Sequence, residues 1–582
     1  MTPPVSFTKT TLSYPVYAAD FDPYNRGYLV VGGGGGEGRS GVGNKITLLD
    51  VTSRATISIA AEIELSSNED SVMSLANLAS KDGLITFAGI NSAESAQKAG
   101  KNEHFRTFTI QYPERKKASE KAEKAENKPQ GHIEFENKCA LFKKASTKND
   151  EGAYQRVFRL SPAFRRESGS KRIGAIATGF AKPAEVVIFS ATTAAPTAAD
   201  VILRAELPEN AEANDLDIAE RSEGSFIVTY AVDCDVYQTN ITYDFGTRKP
   251  VGQLKEPRMC YSFPYPDVFA SAGRPRIRAI RFLTPDYLLL LGNHQNRSGS
   301  ELFVLRIFDT GPAELVLQKR LPRHVKAGVS LDVCVLDADP VTGARQIVVA
   351  VAGQDVSISV YTIEYLGSKR DTLSKFRKFN TMQNVHPLQM TKICFAPFHR
   401  PGAVPAPSSQ PSKQEPSSSE RSPKKKRKGK SKGRSSEPKD TKPATVVTSD
   451  PPAASSLPPA SGQQFIRLAS ISMGNTVVVD TFTLVPHSKQ NRYILSGSEP
   501  TLFSPAVAAV VTSIFVFLVN LFLLQGYFDV QAGGPGMSHV ALMPKEWRVA
   551  LGEATKNMGV QVPGDRFAQV DVAGGEAEEG LI

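Results

Sequence analysis

The chain has 582 residues, of which 41% are hydrophobic, and this composition excludes a wholly disordered or collagen-like protein. Its formal net charge is +10, but the segment 424–442 alone holds ten Lys or Arg against two acidic residues. A strongly basic globular surface for nucleic acid is therefore not indicated. The five cysteines lie at least 26 residues apart, which excludes a CxxC redox pair and a zinc ribbon and favours a reducing compartment. HExxH and GxSxG motifs are absent, which disfavours a metalloprotease or serine hydrolase.

The N-terminus shows no apolar core of the signal-peptide kind, and short strand-like segments begin at residue 16 and continue to residue 485. Examples are YLVVGG (28–33), FIVTYAV (226–232) and QIVVAVAG (346–353), separated by turn residues. Amphipathic helical patterns of similar strength are nearly absent. So many short strands over about 470 residues favour a closed or radially repeated all-β architecture.

A recurrent pattern supports a β-propeller. Segments 18–23, 280–285 and 393–397 each end a strand in a turn, and strongly apolar strands follow the first two within a few residues. At about 45 to 65 residues per repeat, the length fits seven blades. The WD dipeptide is missing, so residues 1–490 are predicted to form a divergent WD-repeat-like seven-bladed β-propeller. A pair of β-sandwiches is the alternative.

The segment 30–46 (VVGGGGGEGRSGVGNKI) contains eight glycines between two predicted strands. Residues 36–41 fit GxGxxG, but a strand-like KITLLDV follows where a dinucleotide site needs a helix. Asn44 precedes Lys45 where a Walker loop needs Gly-Lys-Ser/Thr, so nucleotide binding by this chain is not indicated. We expect a hairpin loop with left-handed backbone angles, whose carbonyl groups can converge on a hard cation; a merely flexible turn is the alternative.

Two polar insertions interrupt the strands. Residues 114–130 mix both charge signs, and residues 400–463, rich in Pro, Ser and Lys, are predicted to be a disordered insertion in the final blade. The basic run 423–430 is interpreted as a solvated loop or one attracted to anionic lipid. Nuclear import and undefined protein partners are the alternatives.

Residues 506–524 form a run of about 19 uncharged, mostly apolar residues, which at 1.5 Å per residue spans roughly 28 Å and predicts a transmembrane helix. Residues 491–505 would be a juxtamembrane linker and 525–582 a lumenal tail. Lys489 and Arg492 precede the span, which favours a cytosolic N-terminal side.

Two segments, 14–21 (YPVYAADF) and 29–46, resemble the first blade of a known family. Its members are the endoplasmic-reticulum membrane guanine-nucleotide exchange factors of the small GTPase that starts COPII coat assembly, the Sec-twelve and prolactin regulatory element-binding protein family. The rest of the chain is similar to this family only in layout. The resemblance implies a single-pass type II protein of the endoplasmic reticulum membrane, with a cytosolic propeller and a SAR-type small GTPase as its partner.

The resemblance also implies that the glycine-rich loop holds a potassium ion, mainly through backbone carbonyls, and projects toward the GTPase. Val42 would supply an apolar contact, and the Asn44 amide would order the loop or touch the partner. Some relatives have a proline where Gly43 stands, so this loop is expected to be more flexible. The implied ion site comprises Glu37, Gly38, Gly41, Val42, Gly43 and Asn44.

Exchange needs no covalent chemistry, because a factor that binds the nucleotide-free GTPase better than the loaded one shifts the equilibrium by itself. The resemblance thus implies a regulator and not an enzyme. A membrane-anchored propeller scaffold for protein–protein interaction, without exchange activity, is the alternative. A transcriptional regulator would rest only on the basic run and conflicts with the predicted span.

Overall fold

The computed structural model describes residues 5–38, 41–114, 131–143, 154–163, 171–179, 184–208, 211–265, 273–399, 463–496, 512–517 and 519–520. Nearly all of the two predicted insertions and the whole predicted tail, 525–582, lie outside these residues. The chain divides into two units, Met1–Glu499 and Pro500–Ile582, which are described separately.

The first unit consists of antiparallel sheets that follow one another along the chain, after a first strand, β1 (Ser6–Thr11). The strands of blades 1 to 3 are β2 (Val16–Phe21), β3 (Tyr28–Gly33), β4 (Asn44–Asp50), β5 (Ser58–Leu65), β6 (Ser74–Ala79), β7 (Gly83–Gly89), β8 (Phe105–Gln111), β9 (His132–Cys139), β10 (Gln155–Leu160), β11 (Ile173–Thr178), β12 (Glu185–Ser190) and β13 (Val201–Glu206). The strands of blades 4 to 7 are β14 (Ala213–Ser222), β15 (Ser225–Val232), β16 (Asp235–Asp244), β17 (Lys249–Pro250), β18 (Arg258–Ser262), β19 (Arg276–Thr284), β20 (Tyr287–Asn293), β21 (Ser300–Arg306), β22 (Glu314–Arg320), β23 (Gly328–Val335), β24 (Arg345–Gly353), β25 (Ile358–Tyr365), β26 (Arg377–Met382), β27 (Met390–Phe395), β28 (Phe465–Ser472) and β29 (Thr476–Thr483). Helical structure in the described part of this unit is limited to α1 (Glu94–Lys98) and two 3₁₀ turns, Ala198–Asp200 and Gln295–Arg297.

The seven sheets close into a ring. The first strands of successive blades, β2, β6, β10, β14, β19, β23 and β27, each contact the next, and β27 contacts β2. Blade 7 is completed by the N-terminus, because β1 pairs with β29 in the order β1-β29-β28-β27, from Ser6 opposite Thr481 to Thr11 opposite Thr476. The prediction of an all-β, seven-bladed propeller is confirmed, and the alternative of two β-sandwiches is wrong.

Burial changes from the axis to the rim of each blade. The second strands, such as β3 (YLVVGG) and β12 (EVVIFS), are buried at every position, because neighbouring blades cover both faces of the sheet. Fourth strands such as β22 (ELVLQKR) are mostly exposed. Apolar clusters accordingly form between blades: Phe21 and Leu29 of blade 1 pack with Ile471 and Val477 of blade 7. This packing explains why the strongest sequence signals come from the second strands.

Antiparallel pairing places successive connections at opposite ends of the propeller. The end that carries the β3–β4 connection is called the glycine-loop face, and the other end, which carries the β27–β28 connection, the opposite face. Contacts agree with this assignment: Arg54, in the β4–β5 connection, donates to Gln463 at 3.2 Å, and His399 hydrogen-bonds the Pro23 carbonyl at 2.8 Å. His399 and Gln463, the described residues on either side of 400–462, therefore lie on the opposite face.

A short hairpin, β30 (Val485–Pro486) with β31 (Tyr493–Ile494), follows the last blade. Leu495 is buried, and its backbone N–H donates to Gln346 of β24 at 2.6 Å. The buried Arg492 forms an ion pair with Glu364 of β25 at 2.7 Å. Residues 491–496, assigned from the sequence to the linker, thus pack on blade 6, and the propeller extends past the predicted boundary at 490.

In the second unit, the structure describes part of the predicted membrane span 506–524. Residues 512–517 and 519–520 are helical, and the rest of the span lies outside the described residues. Among the described residues, no helix is both long enough and apolar enough to cross a membrane.

Candidate functional site

The glycine-rich segment connects β3 and β4 of blade 1, and residues 34–43 form the loop. This loop is longer than an ordinary hairpin connection of two to five residues. Gly34 has φ +140° and Gly36 φ +68°, in the region that favours glycine. A Cβ on Gly34 would lie 2.2 Å from Asn44 Oδ1, so a side chain there would displace Asn44. The base of the loop therefore requires glycine, as the sequence predicts.

Asn44 fastens the loop to the body of the propeller. It begins β4 and is 1% exposed. Its Oδ1 accepts a hydrogen bond from the Gly36 N–H at 2.9 Å, and its Nδ2 donates to the carbonyls of Ser66 and Glu69, each at 2.9 Å. A single amide thus joins the loop to the β5–β6 connection. Its burial favours the ordering role over direct contact with a partner.

The β5–β6 connection is itself held from blade 2. The Arg106 guanidinium binds both carboxylate oxygens of Glu69, at 2.8 and 3.2 Å, and donates to the Glu103 carbonyl at 2.7 Å. Asp70 accepts from the Asn91 amide at 3.0 Å. Bidentate, charge-assisted contacts of this kind fix a loop more firmly than single neutral hydrogen bonds. The carbonyl of Glu69 that receives the Asn44 amide is thereby held in place.

The hydrogen-bonded network continues into blade 3 through two further buried side chains. The side-chain Oδ1 of Asn91 accepts a hydrogen bond from the backbone N–H of Gln155. The side-chain Oε1 of Gln155 is in turn hydrogen-bonded to His104 Nδ1 at 3.3 Å. His104 Nε2 accepts from the N–H groups of Leu141 and Phe142, so the proton is on Nδ1. Burial lowers the pKa of His104 to about 4, which keeps the ring neutral and able to accept.

The remaining predicted site residues lie in the loop. Gly38, Gly41 and Gly43 are exposed. Glu37 is also exposed, and its carboxylate accepts the Glu94 N–H at 2.7 Å, a second tie between the loop and blade 2. Val42 is half-buried and packs against the apolar cluster between blades 7 and 1. These residues thus lie in one loop, but the side chains of Glu37, Val42 and Asn44 make contacts with other parts of the propeller.

The loop offers a cation only oxygen ligands: backbone carbonyls, the Glu37 carboxylate and Asn44 Oδ1. This donor set suits a hard monovalent ion. Asn44 Oδ1 already accepts one hydrogen bond, so it would contribute its second lone pair. The residues present therefore fit potassium. Among the described residues, His, Cys, Asp and Glu form no cluster of three that could hold a metal.

Exposed apolar side chains flank the loop, and sequence reasoning does not single them out. Leu388 is 54% exposed and lies against the β28–β29 turn, which carries Met473, 43% exposed. Met73, on the other flank, is the last residue of the β5–β6 connection and is 43% exposed. Isolated apolar residues in connections carry no periodic signal, so only the fold reveals that they share the glycine-loop face.

The propeller axis is lined by charges that the sequence does not show as a group. Arg281 of β19 bridges Asp215 of β14, at 2.5 Å, and Asp332 of β23, at 3.1 Å. Burial raises the pKa of Asp217, on β14, to about 7, against the opposing charge of Arg159 on β10. Asp215, Asp217 and Asp332 also accept backbone N–H groups of the next blade. These residues join the inner strands, which is a structural role.

Comparisons with known proteins give structural neighbours only. No protein-family model matches the chain, and no curated protein matches it. Solved structures that are similar include the Sqt1 protein of Chaetomium thermophilum (14% identity, TM-score 0.34, 67% of this chain and 77% of that chain). BBS1N, in complex with ARL6DN, is 8% identical, with a TM-score of 0.37, over 83% of this chain and 96% of that chain. The periplasmic gluconolactonase PpgL of Pseudomonas aeruginosa is 11% identical, with a TM-score of 0.35, over 63% of this chain and 85% of that chain.

Proposed function

We propose that this propeller is a guanine-nucleotide exchange factor for a SAR-type small GTPase, acting at the endoplasmic reticulum membrane to start COPII vesicle formation. The observation that carries the proposal is the loop 34–43: it is anchored at its base by the buried Asn44 and exposed at Gly38, Gly41 and Gly43. A loop fixed in this way can press on a partner without collapsing.

The physical requirement is differential binding. A GTPase holds its nucleotide mainly through phosphate and magnesium contacts made by its phosphate loop and switches. A fixed loop that occupies the switch region would stabilise the nucleotide-free state, and Leu388, Met473 and Met73 beside it offer apolar contact area. No group of the propeller has to transfer a proton or form a covalent bond.

Potassium would add order to the loop. Ordering a glycine-rich segment costs on the order of 1 kcal/mol or more per residue. The ion would be held by the loop carbonyls, the Glu37 carboxylate and Asn44 Oδ1. Its positive charge would offset the repulsion between carbonyl dipoles that point toward one another. Exchange should therefore be slower when sodium replaces potassium.

The test is release of labelled GDP from a SAR-type GTPase by the purified chain. Asn44→Ala should slow release roughly 30- to 150-fold, which corresponds to the loss of about 2–3 kcal/mol in the exchange-competent complex. Leu388→Ser with Met473→Ser should also slow release. The matched control is Val341→Ser on the opposite face, which is 84% exposed and should have no effect.

The scaffold alternative makes the contrary prediction. If the folded Asn44→Ala chain releases GDP at the wild-type rate, or if the wild-type chain does not release it at all, the exchange proposal is wrong. Binding of the GTPase without release would favour the propeller scaffold, for which the all-β fold is sufficient.

A further inference from the structure

A cleft on blade 6 is unrelated to the glycine-rich loop. It has a volume of about 550 Å³ and lies between the outer strands β25 and β26, the β23–β24 connection and the hairpin β30–β31. The β25–β26 connection also lines the cleft, and both connections belong to the opposite face. The volume is within the range of roughly 300–1,000 Å³ that is typical of small-molecule sites.

The lining of this cleft is strongly basic. Five Lys or Arg side chains line it, and among the described lining residues Glu364 is the one carboxylate. The cations are Lys369, Arg370, Arg377, Lys378 and Arg492. Glu364 is already paired with the buried Arg492 at 2.7 Å, which leaves the other four charges uncompensated within the cleft.

The four remaining cations are available to a ligand. Lys369, Arg370, Arg377 and Lys378 are exposed, and none of them forms an ion pair with another residue that the structure describes. His487, a further lining residue, accepts the Lys489 N–H on Nδ1, so its other ring nitrogen can donate. The floor is rigid, because Gln346 binds the Leu495 N–H and Glu364 binds Arg492.

We infer that this cleft binds an anion bearing several phosphate groups. Guanidinium groups bind phosphate in a bidentate manner, and lysines add point charges, so two Arg and two Lys around one cavity match several phosphates better than a single carboxylate. The Lys-rich segment 424–442 carries the same sign of charge as the cleft and is therefore not a suitable occupant.

The ligand could be soluble or the headgroup of a lipid, since both present the same phosphates. The placement of the cleft makes a headgroup worth testing. Ser496, the last residue of the first unit that the structure describes, lines this cleft, and the predicted span begins at residue 506. Anionic lipid attracts basic surfaces by roughly 1 kcal/mol per charge near the bilayer.

The experiment is isothermal titration of the full chain, in non-ionic detergent, with inositol hexakisphosphate. We expect saturable binding that weakens at least tenfold in the double variant Arg377→Glu/Lys378→Glu. The matched control is Arg248→Glu/Lys249→Glu, an adjacent exposed Arg-Lys pair on the opposite face of blade 4. It makes the same change in net charge and should alter affinity by less than twofold.

The source is distinguished by titrating dioctanoyl phosphatidylinositol 4-phosphate and, separately, its headgroup without acyl chains, with dioctanoyl phosphatidylcholine as the blank. Preference for the lipid form assigns the site to a membrane headgroup, whereas equal affinity assigns it to a soluble phosphate ester. Absence of binding by all phosphate probes, or equal weakening in both double variants, would overturn the proposal. Thermal unfolding of each variant verifies folding, and GDP release from soluble GTPase should not change in the cleft variant.

Discussion

The anchoring of the glycine-rich loop by one buried amide leads to a sharp prediction for Asn44→Ala. The change removes three hydrogen bonds of 2.9 Å, from the Gly36 N–H and to the carbonyls of Ser66 and Glu69. At about 1 kcal/mol net for each bond, the anchored loop loses about 3 kcal/mol relative to a detached one. Since 1.36 kcal/mol is a factor of ten, protection of the loop amides from hydrogen exchange should fall about 150-fold.

The assay is hydrogen exchange of peptides that cover residues 30–46, followed by mass spectrometry. Asn77→Ala is the matched control, because Asn77 is also fully buried and donates to two backbone carbonyls, of Asp20 and Phe21, far from the loop. It should lower overall stability without changing exchange at 30–46. Asn44→Asp should give an intermediate result, since it keeps an acceptor for Gly36 but loses both N–H donors. If Asn44→Ala exchanges within threefold of the wild type, the anchoring argument is refuted.

Four further predictions concern other parts of the chain. Burial raises the pKa of Asp480 to about 7, so the folded chain keeps a proton that the unfolded chain releases, and the free energy of unfolding falls as pH rises toward 7. In denaturant titrations, Asp480→Asn should therefore stabilise the chain by about 3 kcal/mol more at pH 8 than at pH 5. An equal gain at both pH values would contradict the assignment. Deletion of residues 1–11 removes the strand that closes blade 7 and should lower Tm by more than 10 °C; an unchanged Tm would show that closure contributes little. Deletion of 400–462 should leave the Tm and GDP release nearly unchanged, and loss of soluble expression would place that segment in the fold. Protease added to intact microsomes should digest residues 1–500 and spare a tail of roughly 60 residues, whereas a protected propeller would reverse the predicted orientation.

Individual strands and their grouping were predictable from the sequence because a strand that is buried on both faces appears there as an uninterrupted apolar run. The segments YLVVGG (28–33) and FIVTYAV (226–232) are uninterrupted apolar runs between turns, and both are second strands of blades. The spacing of such runs gave seven blades. The glycine-rich hairpin was predictable too, since eight glycines between two strands leave few other arrangements.

The contacts that assemble these pieces were not predictable. Nothing in the pattern of β1 marks it as the partner of β29, because a polar edge strand resembles any other exposed strand. The partners of Asn44 lie in the run 66–71, which reads only as a polar turn. Residues 491–496 lack a strand pattern, and their attachment depends on the single side chains of Arg492 and Leu495. Sequence periodicity reports burial, and it does not report which surface buries a residue.

The pairing of β1 with β29 also determines when blade 7 can close during biosynthesis. The partner of β1 is complete only at Thr483, so β1 is synthesised long before it can be paired. At about 5–20 residues per second, the edge of β1 stays open for roughly 25–95 s on the ribosome. An unpaired strand edge is a template for pairing with other chains. Its sequence, SFTKTT, has a lysine at its centre and a single large apolar side chain, Phe7, which limits such pairing until the ring can close.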